Sequence, residues 1–181
     1  MSAPTIDIEA EFQGLERALD AYDALRARLG EREHTSAADV SGWSVAQHLF
    51  HIALATDLAL RHVRSLCDGK GRLIAAEGEL GERAAQVLAS ERTRRGVAEA
   101  PRMVRPGDDV NPQFLTNELR GAREGVAALR ARASELSAAA GWIPHQELGP
   151  LNATHWLRFA RLHAEHHLAI AAEVADAVSA S

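Results

Sequence analysis

An apolar seam in the second half of the chain has the spacing of an α-helix that packs in a bundle. Its positions alternate steps of four and three residues: Leu115, Leu119, Ala122, Val126, Leu129, Ala133 and Leu136. Such steps keep side chains on one helical face, because an α-helix has about 3.6 residues per turn. Asn111 and Pro112 precede the seam as an N-cap and a first helical residue would. The pattern therefore predicts a bundle helix over residues 112–136.

Three other segments carry apolar side chains at helical spacing. They span residues 6–29, 44–68 and 152–178. The second begins at Ser44, whose spacing to Gln47 is that of a capping box, and the last follows Asn152, a favoured N-cap residue. Aromatic residues make up 4% of the chain and no run of β-branched residues alternates with polar ones, so strands are not expected. The sequence predicts an all-α fold, a four-helix bundle.

A long crossover separates the second and third bundle helices. Residues 73–93 are expected to be helical, although Gly78 and Gly81 each weaken a helix by about 1 kcal/mol relative to alanine. Residues 96–110 contain two prolines and are typical of a connector. A link of this length allows the two helices that it joins to lie parallel. Loops are expected at residues 31–42 and 141–150.

The charge balance and the single cysteine indicate the partners and the compartment. The net charge is −5 and the pI is near 6.0, so the chain has no basic face for nucleic acid, and Arg92, Arg94 and Arg95 are expected to be a solvated helix end. Cys67 cannot form an internal disulfide, which is typical of a reducing cytoplasm. No apolar stretch approaches 18 residues. We expect a soluble, cytoplasmic, single-domain protein over residues 1–181, without nucleic-acid or membrane partners.

Two of the nine histidines occupy inward positions of the last helix. The seam of that helix passes through them: Trp156, Ala160, His163, His167, Ile170 and Val174. His163 and His167 are four residues apart and lie about 40° apart on one helical face, from which two imidazoles can bind one ion. His166 lies about 60° to the other side. It is a candidate for the rim of such a site or for a group that supports a ligand.

The second helix offers a third imidazole. His51 shares a face with Leu54 and Leu58, and His48 lies one turn earlier, where it could orient a ligand. His62 shares the His51 face but lies about 16 Å further along the helix, too far to join the same ion. Periodicity alone also allows ordinary buried histidines in the core, and it does not place His51 beside the last helix.

Two sequence motifs resemble those of a known superfamily. Residues 42–52, with a Trp-Ser pair before the helix, resemble the second-helix motif of the DinB-like superfamily, whose members are described as metalloenzymes. Residues 163–167 resemble its last-helix motif, a histidine followed three and four residues later by a His-His pair. Residues 145–151, a histidine before a Gly-Pro-Leu turn, resemble one subgroup of that superfamily. The resemblance implies that the three metal-binding histidines are His51, His163 and His167.

Imidazole ligands suit a divalent transition metal such as Zn, Ni or Fe and do not select one of them. The resemblance implies the activation of a low-molecular-weight thiol for transfer or isomerisation, as in some DinB-like enzymes. Three imidazoles without a thiolate also favour an open site, at which a metal-activated water could act in hydrolysis. A protein that binds a metal or small ligand without turnover, with a stress or regulatory role, is the alternative from another class. The expected partners are a small-molecule substrate or thiol and, in a homodimer, a second copy of the chain. No catalytic side chain is assigned.

Overall fold

The computed structural model describes residues 6–90, 95 and 99–181, and most of them are helical. In chain order the helices are α1 (Ile8–Leu29), α2 (Val45–Asp68), α3 (Glu82–Ala89), α4 (Pro112–Arg130), α5 (Ala133–Leu136) and α6 (Ala153–Ala180). Short 3₁₀ turns occupy Gly30–His34 and Arg102–Val104. The strands β1 (Ile143–His145) and β2 (Gly149–Leu151) form an antiparallel hairpin before α6. The predicted all-α bundle is confirmed, with α1, α2, α4 and α6 as its four long helices.

The predicted helix starts are confirmed by their hydrogen bonds. The Ser44 hydroxyl accepts the Gln47 N–H at 3.3 Å, and the Gln47 side chain accepts the Ser44 N–H at 2.9 Å, which completes the capping box. Asn111 accepts two backbone N–H groups in the first turn of α4, and Asn152 accepts one in the first turn of α6. These caps satisfy N–H groups that have no partner within their own helix.

The crossover allows α2 and α4 to run parallel. At the start of α2, Gln47 donates to the Gly107 carbonyl just before α4 at 2.9 Å. At the other end, Arg132 follows α4 and pairs with Asp68, the last residue of α2, at 2.7 Å. The two helices therefore begin at one end of the bundle and finish at the other, as the length of the link predicts.

α6 packs against α2 in the opposite direction. His62, late in α2, contacts Trp156 at the start of α6, whereas His51, early in α2, contacts His163 further along α6. The core beneath this pair contains side chains from all four long helices. Its buried residues include Phe12, Leu15, Leu19, Leu49, Ile52, Leu60, Leu115, Leu129, Leu157, Leu162, Ala171, Val174 and Ala175.

The crossover is less helical than its sequence predicts. Among the described residues 73–90 of that segment, only α3 is helical. Residues 91–94 and 96–98, which include Arg92 and Arg94 of the arginine cluster, lie outside the described part of the chain. Arg95 pairs with Glu173 of α6. Ala75 exchanges two backbone hydrogen bonds with Trp142 at 2.8 and 2.9 Å, and Gly78 packs directly against the Trp142 side chain. A long-range contact thus holds this stretch extended, and the helix prediction was wrong there.

Two further predicted boundaries need correction. α4 ends at Arg130 rather than near residue 136, because Arg132 leaves the helical conformation (φ −109°, ψ 18°) and α5 is a separate turn. The predicted loop 141–150 contains the hairpin, in which Ile143 faces Leu151 and both side chains are buried. Within the described part of the chain, none of the helices combines the length and apolar character that a membrane crossing requires.

A buried ion cluster joins α1 to α6. The Glu11 carboxylate is 3% exposed and accepts hydrogen bonds from Arg158 and Arg161. Arg161 also reaches Glu165 at 2.6 Å, and Arg158 donates to the Leu88 carbonyl of α3. Two carboxylates, Glu11 and Glu165, therefore balance two guanidinium groups that have little access to water, and the cluster links α1, α3 and α6.

We expect Glu11→Gln to lower the free energy of unfolding by about 3 kcal/mol, because breaking a buried ion pair leaves an uncompensated charge in the interior. Urea unfolding followed by circular dichroism measures the loss. Glu9→Gln is the matched control, because Glu9 pairs with Arg130 at the solvent-exposed surface and its removal should matter far less. Equal losses in the two variants would contradict a special role for the buried cluster.

Candidate metal centre

Three histidines converge where α2 crosses α6. His51 comes from α2, and His163 and His167 come from successive turns of α6. One ligand nitrogen from each lies within 4.8 Å of the others, and the Nε2 atoms of His51 and His163 are 3.3 Å apart. Nitrogens bound to one zinc ion at about 2.0–2.1 Å with tetrahedral angles lie about 3.4 Å apart. The three residues are therefore positioned to bind a metal ion.

The hydrogen bond of His51 to the crossover determines which nitrogen is free. Its Nδ1 lies 2.8 Å from the Val104 carbonyl oxygen, which can only accept, so Nδ1 carries the proton. In the neutral ring Nε2 then has an available lone pair, and this atom faces His163. A hydrogen bond of this kind fixes both the tautomer and the orientation of a metal-binding imidazole.

A short hydrogen-bond chain supports His167 from the other side. The Nδ1 atoms of His48 and His167 are 3.0 Å apart, and His48 Nε2 is 3.0 Å from the Ser41 hydroxyl, which also accepts the Trp43 N–H. When His167 donates from Nδ1 and His48 donates from Nε2, every bond of the chain is made. The lone pair of His167 Nε2 is then free for an ion. His48 thus lies where its helical position suggested, against a candidate ligand.

Aromatic rings cover the histidine group. The Trp43 ring lies 5.2 Å from that of His51 and stacks on His167 at 6.1 Å. On the opposite side Phe159 stacks on His163 with ring centroids 5.3 Å apart and an angle of 15° between the planes. The contacts of Trp43 with two of the imidazoles give this ring a place in the site.

Burial keeps these imidazoles neutral. It lowers the pKa of His51, and it lowers the pKa values of His163 and His167 further, with the neighbouring histidines adding to the effect. Burial likewise lowers the pKa of His48 to about 4. A histidine must be unprotonated to coordinate a metal, so the group is in its binding form at neutral pH.

The histidine group opens onto a cleft of about 1280 Å³ between α2, α6 and the crossover. Its walls include Trp43, Leu58, Met103, Trp156, Phe159 and Ile170. Within the described part of the chain, the group of potential ligands contains the three histidines and neither a cysteine nor a carboxylate. A small molecule can therefore approach the donors from the cleft.

The other candidate residues lie outside the group. The His166 ring is 5.1 Å from that of His167 and lines the cleft, as expected for a rim position. His62 packs on Trp156 further along the cleft. Two carboxylates on the same helices pair with arginines: Asp57 with Arg61 and Glu165 with Arg161. Cys67 lies near the end of α2 and does not line the cleft.

Several groups at the site were not predicted from the sequence. The Ser41 hydroxyl precedes its helix in a polar loop, and the Val104 carbonyl has no signature in the sequence at all. Phe159 lies four residues before His163 on the same helical face, so its spacing could have revealed it. His145 was noted only as part of a motif, whereas the structure places its side chain in the cleft wall.

The fold and the site together define a four-helix-bundle protein whose histidine group is positioned to bind a metal ion. The family model of the DinB superfamily matches residues 14–171, and the chain belongs to this superfamily. The match confirms, at the level of the superfamily, the resemblance seen in the two motifs. No curated protein and no solved structure matches the chain.

We expect the metal-free protein to lose stability as the pH falls from 7 to 5. Histidines in the unfolded chain titrate near 6.5, whereas burial lowers the pKa of folded His48 to about 4. Between these two values the unfolded state binds a proton that the native state does not bind, so a falling pH favours unfolding. His48 alone accounts for about 2 kcal/mol of this loss. Urea unfolding of chelator-treated protein at both pH values measures it. His48→Gln should show a smaller loss, and equal pH dependence in the two proteins would contradict the assignment.

Proposed function

We propose that the protein is a metalloenzyme that holds one divalent transition metal on His51, His163 and His167 and uses it to activate a thiol for transfer to a second substrate. One observation carries the proposal: three neutral imidazole donors converge at the wall of a cleft that has room for a small molecule. Structural zinc sites usually fill all positions with protein ligands and often with cysteine, whereas three histidines leave a position for substrate.

The three imidazole nitrogens suit several divalent transition metals. Imidazole nitrogens bind Zn, Ni and Fe alike, so the residues do not select one of them. When bound, such an ion would lower the pKa of a thiol or water in its remaining position and so supply a nucleophile at neutral pH. His51 and His167 would present their Nε2 atoms, held by Val104 and His48. Trp43 and Phe159 would limit water around the donors.

The choice of a thiol rests on superfamily membership and on the apolar walls beside the donors. Trp43, Phe159 and Ile170 offer few polar groups to a hydrophilic ligand. Hydrolysis is the second candidate, because the same open position could take a water. A binding protein without turnover is less favoured, since the cleft leads directly to the histidines and no side chain of the described residues completes the ligand set.

We expect His51→Ala, His163→Ala and His167→Ala each to lose most bound metal, because two imidazoles make a weak site. Elemental analysis of protein purified without chelator gives the metal content per chain. His62→Ala is the matched control, because this imidazole lies on the same helix and the same cleft yet outside the group, and its metal content should stay at the wild-type level. Full occupancy in the His51 variant would disprove the proposed ligand set.

The metal-loaded protein should accelerate the reaction of a small thiol with 1-chloro-2,4-dinitrobenzene, followed by absorbance. Chelation and His163→Ala should both abolish the acceleration, because each removes the ion that lowers the pKa of the thiol. Hydrolysis of 4-nitrophenyl acetate, measured in parallel, tests the second candidate. Metal-dependent hydrolysis without thiol transfer would replace the first proposal by the second, and inactivity in both assays with metal bound would support the binding protein.

A further inference from the structure

His145 is an imidazole of the cleft that takes no part in the histidine group. It ends β1, and its Nδ1 atom accepts the backbone N–H groups of Glu147 at 3.1 Å and Leu148 at 3.2 Å. Backbone N–H groups only donate, so Nδ1 carries no proton. The proton of the neutral ring must therefore be on Nε2. The turn between the two strands fixes this tautomer.

The His145 ring belongs to the same aromatic wall as the proposed metal ligands. Its centroid lies 4.5 Å from that of Phe159 and 5.4 Å from that of Trp156. Phe159 in turn stacks on His163 at 5.3 Å. One ring thus separates His145 from the histidine group, and all of these residues line one cleft. A ligand of the size of a substituted benzene could span the distance.

The Nε2–H group of His145 can donate a hydrogen bond to a ligand. Among residues 6–90, 95 and 99–181 it has no hydrogen-bond partner, in contrast to the doubly bonded Nδ1. Burial lowers the pKa of His145 to about 4, so the side chain is uncharged at neutral pH. It therefore offers one N–H of fixed direction and no net charge.

The charges around the cleft are already paired. Its lining arginines all contact carboxylates: Arg83 with Glu147, Arg95 with Glu173 and Arg105 with Glu99. The remaining walls are mainly apolar and aromatic. Such a cleft suits a ligand without strong charge that presents a hydrogen-bond acceptor to His145. A carbonyl oxygen on an apolar body has this character.

We propose that His145 is a substrate-binding residue, whose Nε2–H donates to a carbonyl oxygen on a largely apolar thiol substrate held at the three-histidine group. The assignment rests on the proposed function, because the thiol end of the ligand would occupy the open metal position. To the proposed function, this assignment adds the class of the substrate and the residue that recognises the substrate.

Two variants separate this role from a purely structural one. In His145→Asn the side-chain oxygen takes the place of Nδ1 and can accept the two turn amides, but nothing replaces the Nε2 donor. In His145→Gln the side-chain amide can replace the Nε2 donor, but the acceptor for the turn is lost. A binding role predicts a defect in the first variant, and a structural role predicts a defect only in the second.

The experiment titrates cobalt-loaded protein with two probe thiols that differ in one carbonyl group, 4-mercaptoacetophenone and 4-ethylthiophenol. The cobalt–thiolate absorption reports binding of both. The difference in thiol acidity is the same for every protein, so a change in the affinity ratio between the wild type and a variant isolates the carbonyl contact. We expect His145→Asn to retain cobalt and its melting temperature while this ratio falls roughly threefold to tenfold, the worth of one neutral hydrogen bond. His145→Gln should keep the ratio and melt at a lower temperature.

An unchanged affinity ratio in a cobalt-loaded His145→Asn protein would overturn the assignment. If His145→Asn does not fold, His145→Gln decides, and a fall of the affinity ratio in that variant counts against the proposal. Failure of the wild type to take up cobalt, or failure of both thiols to bind the cobalt-loaded wild type, would instead contradict the proposed function. The metal content and the thiolate absorption of the wild type therefore distinguish failure of the function from failure of this inference.

Discussion

The antiparallel contact between α2 and α6 is the constraint on which the site depends. It brings His51 against His163 and His48 against His167 on an inner seam where apolar side chains would be expected. Imidazoles are tolerated there because each finds a polar partner and because burial holds them neutral. The ion cluster at Glu11 joins α6 to α1 and α3 and so supports α6 from its other side.

The outer hydrogen bonds decide what the histidines can do. A neutral imidazole offers only one lone pair, and its position depends on where the proton is held. Val104 holds the proton of His51 on Nδ1, and the chain through His48 to Ser41 can do the same for His167. Both supports come from outside the bundle core, one from the crossover and one from the loop before α2. Segments outside the long helices therefore orient the imidazoles that these helices carry.

The sequence predicted the parts of the fold that short-range rules govern. Apolar periodicity located the four long helices, and local side-chain caps located the starts of α2, α4 and α6. The spacing of His163 and His167 placed them on one face, but their meeting with His51 needed the superfamily motif, because periodicity within one helix carries no information about its neighbour. The extended stretch at Ala75 and the hairpin escaped prediction, because contacts with residues distant in the chain determine them.

The crossover shapes the cleft, whereas the long helices form most of the core. It forms much of one wall of the cleft, yet several of its side chains contribute little to the core, and Leu73 and Met103 are 57% and 69% exposed. Substitutions at such positions change the shape and polarity of the cleft at small cost in folding free energy. Selectivity can therefore diverge among proteins that share this bundle through one tolerant segment, while the histidines and the seam that buries them stay constant.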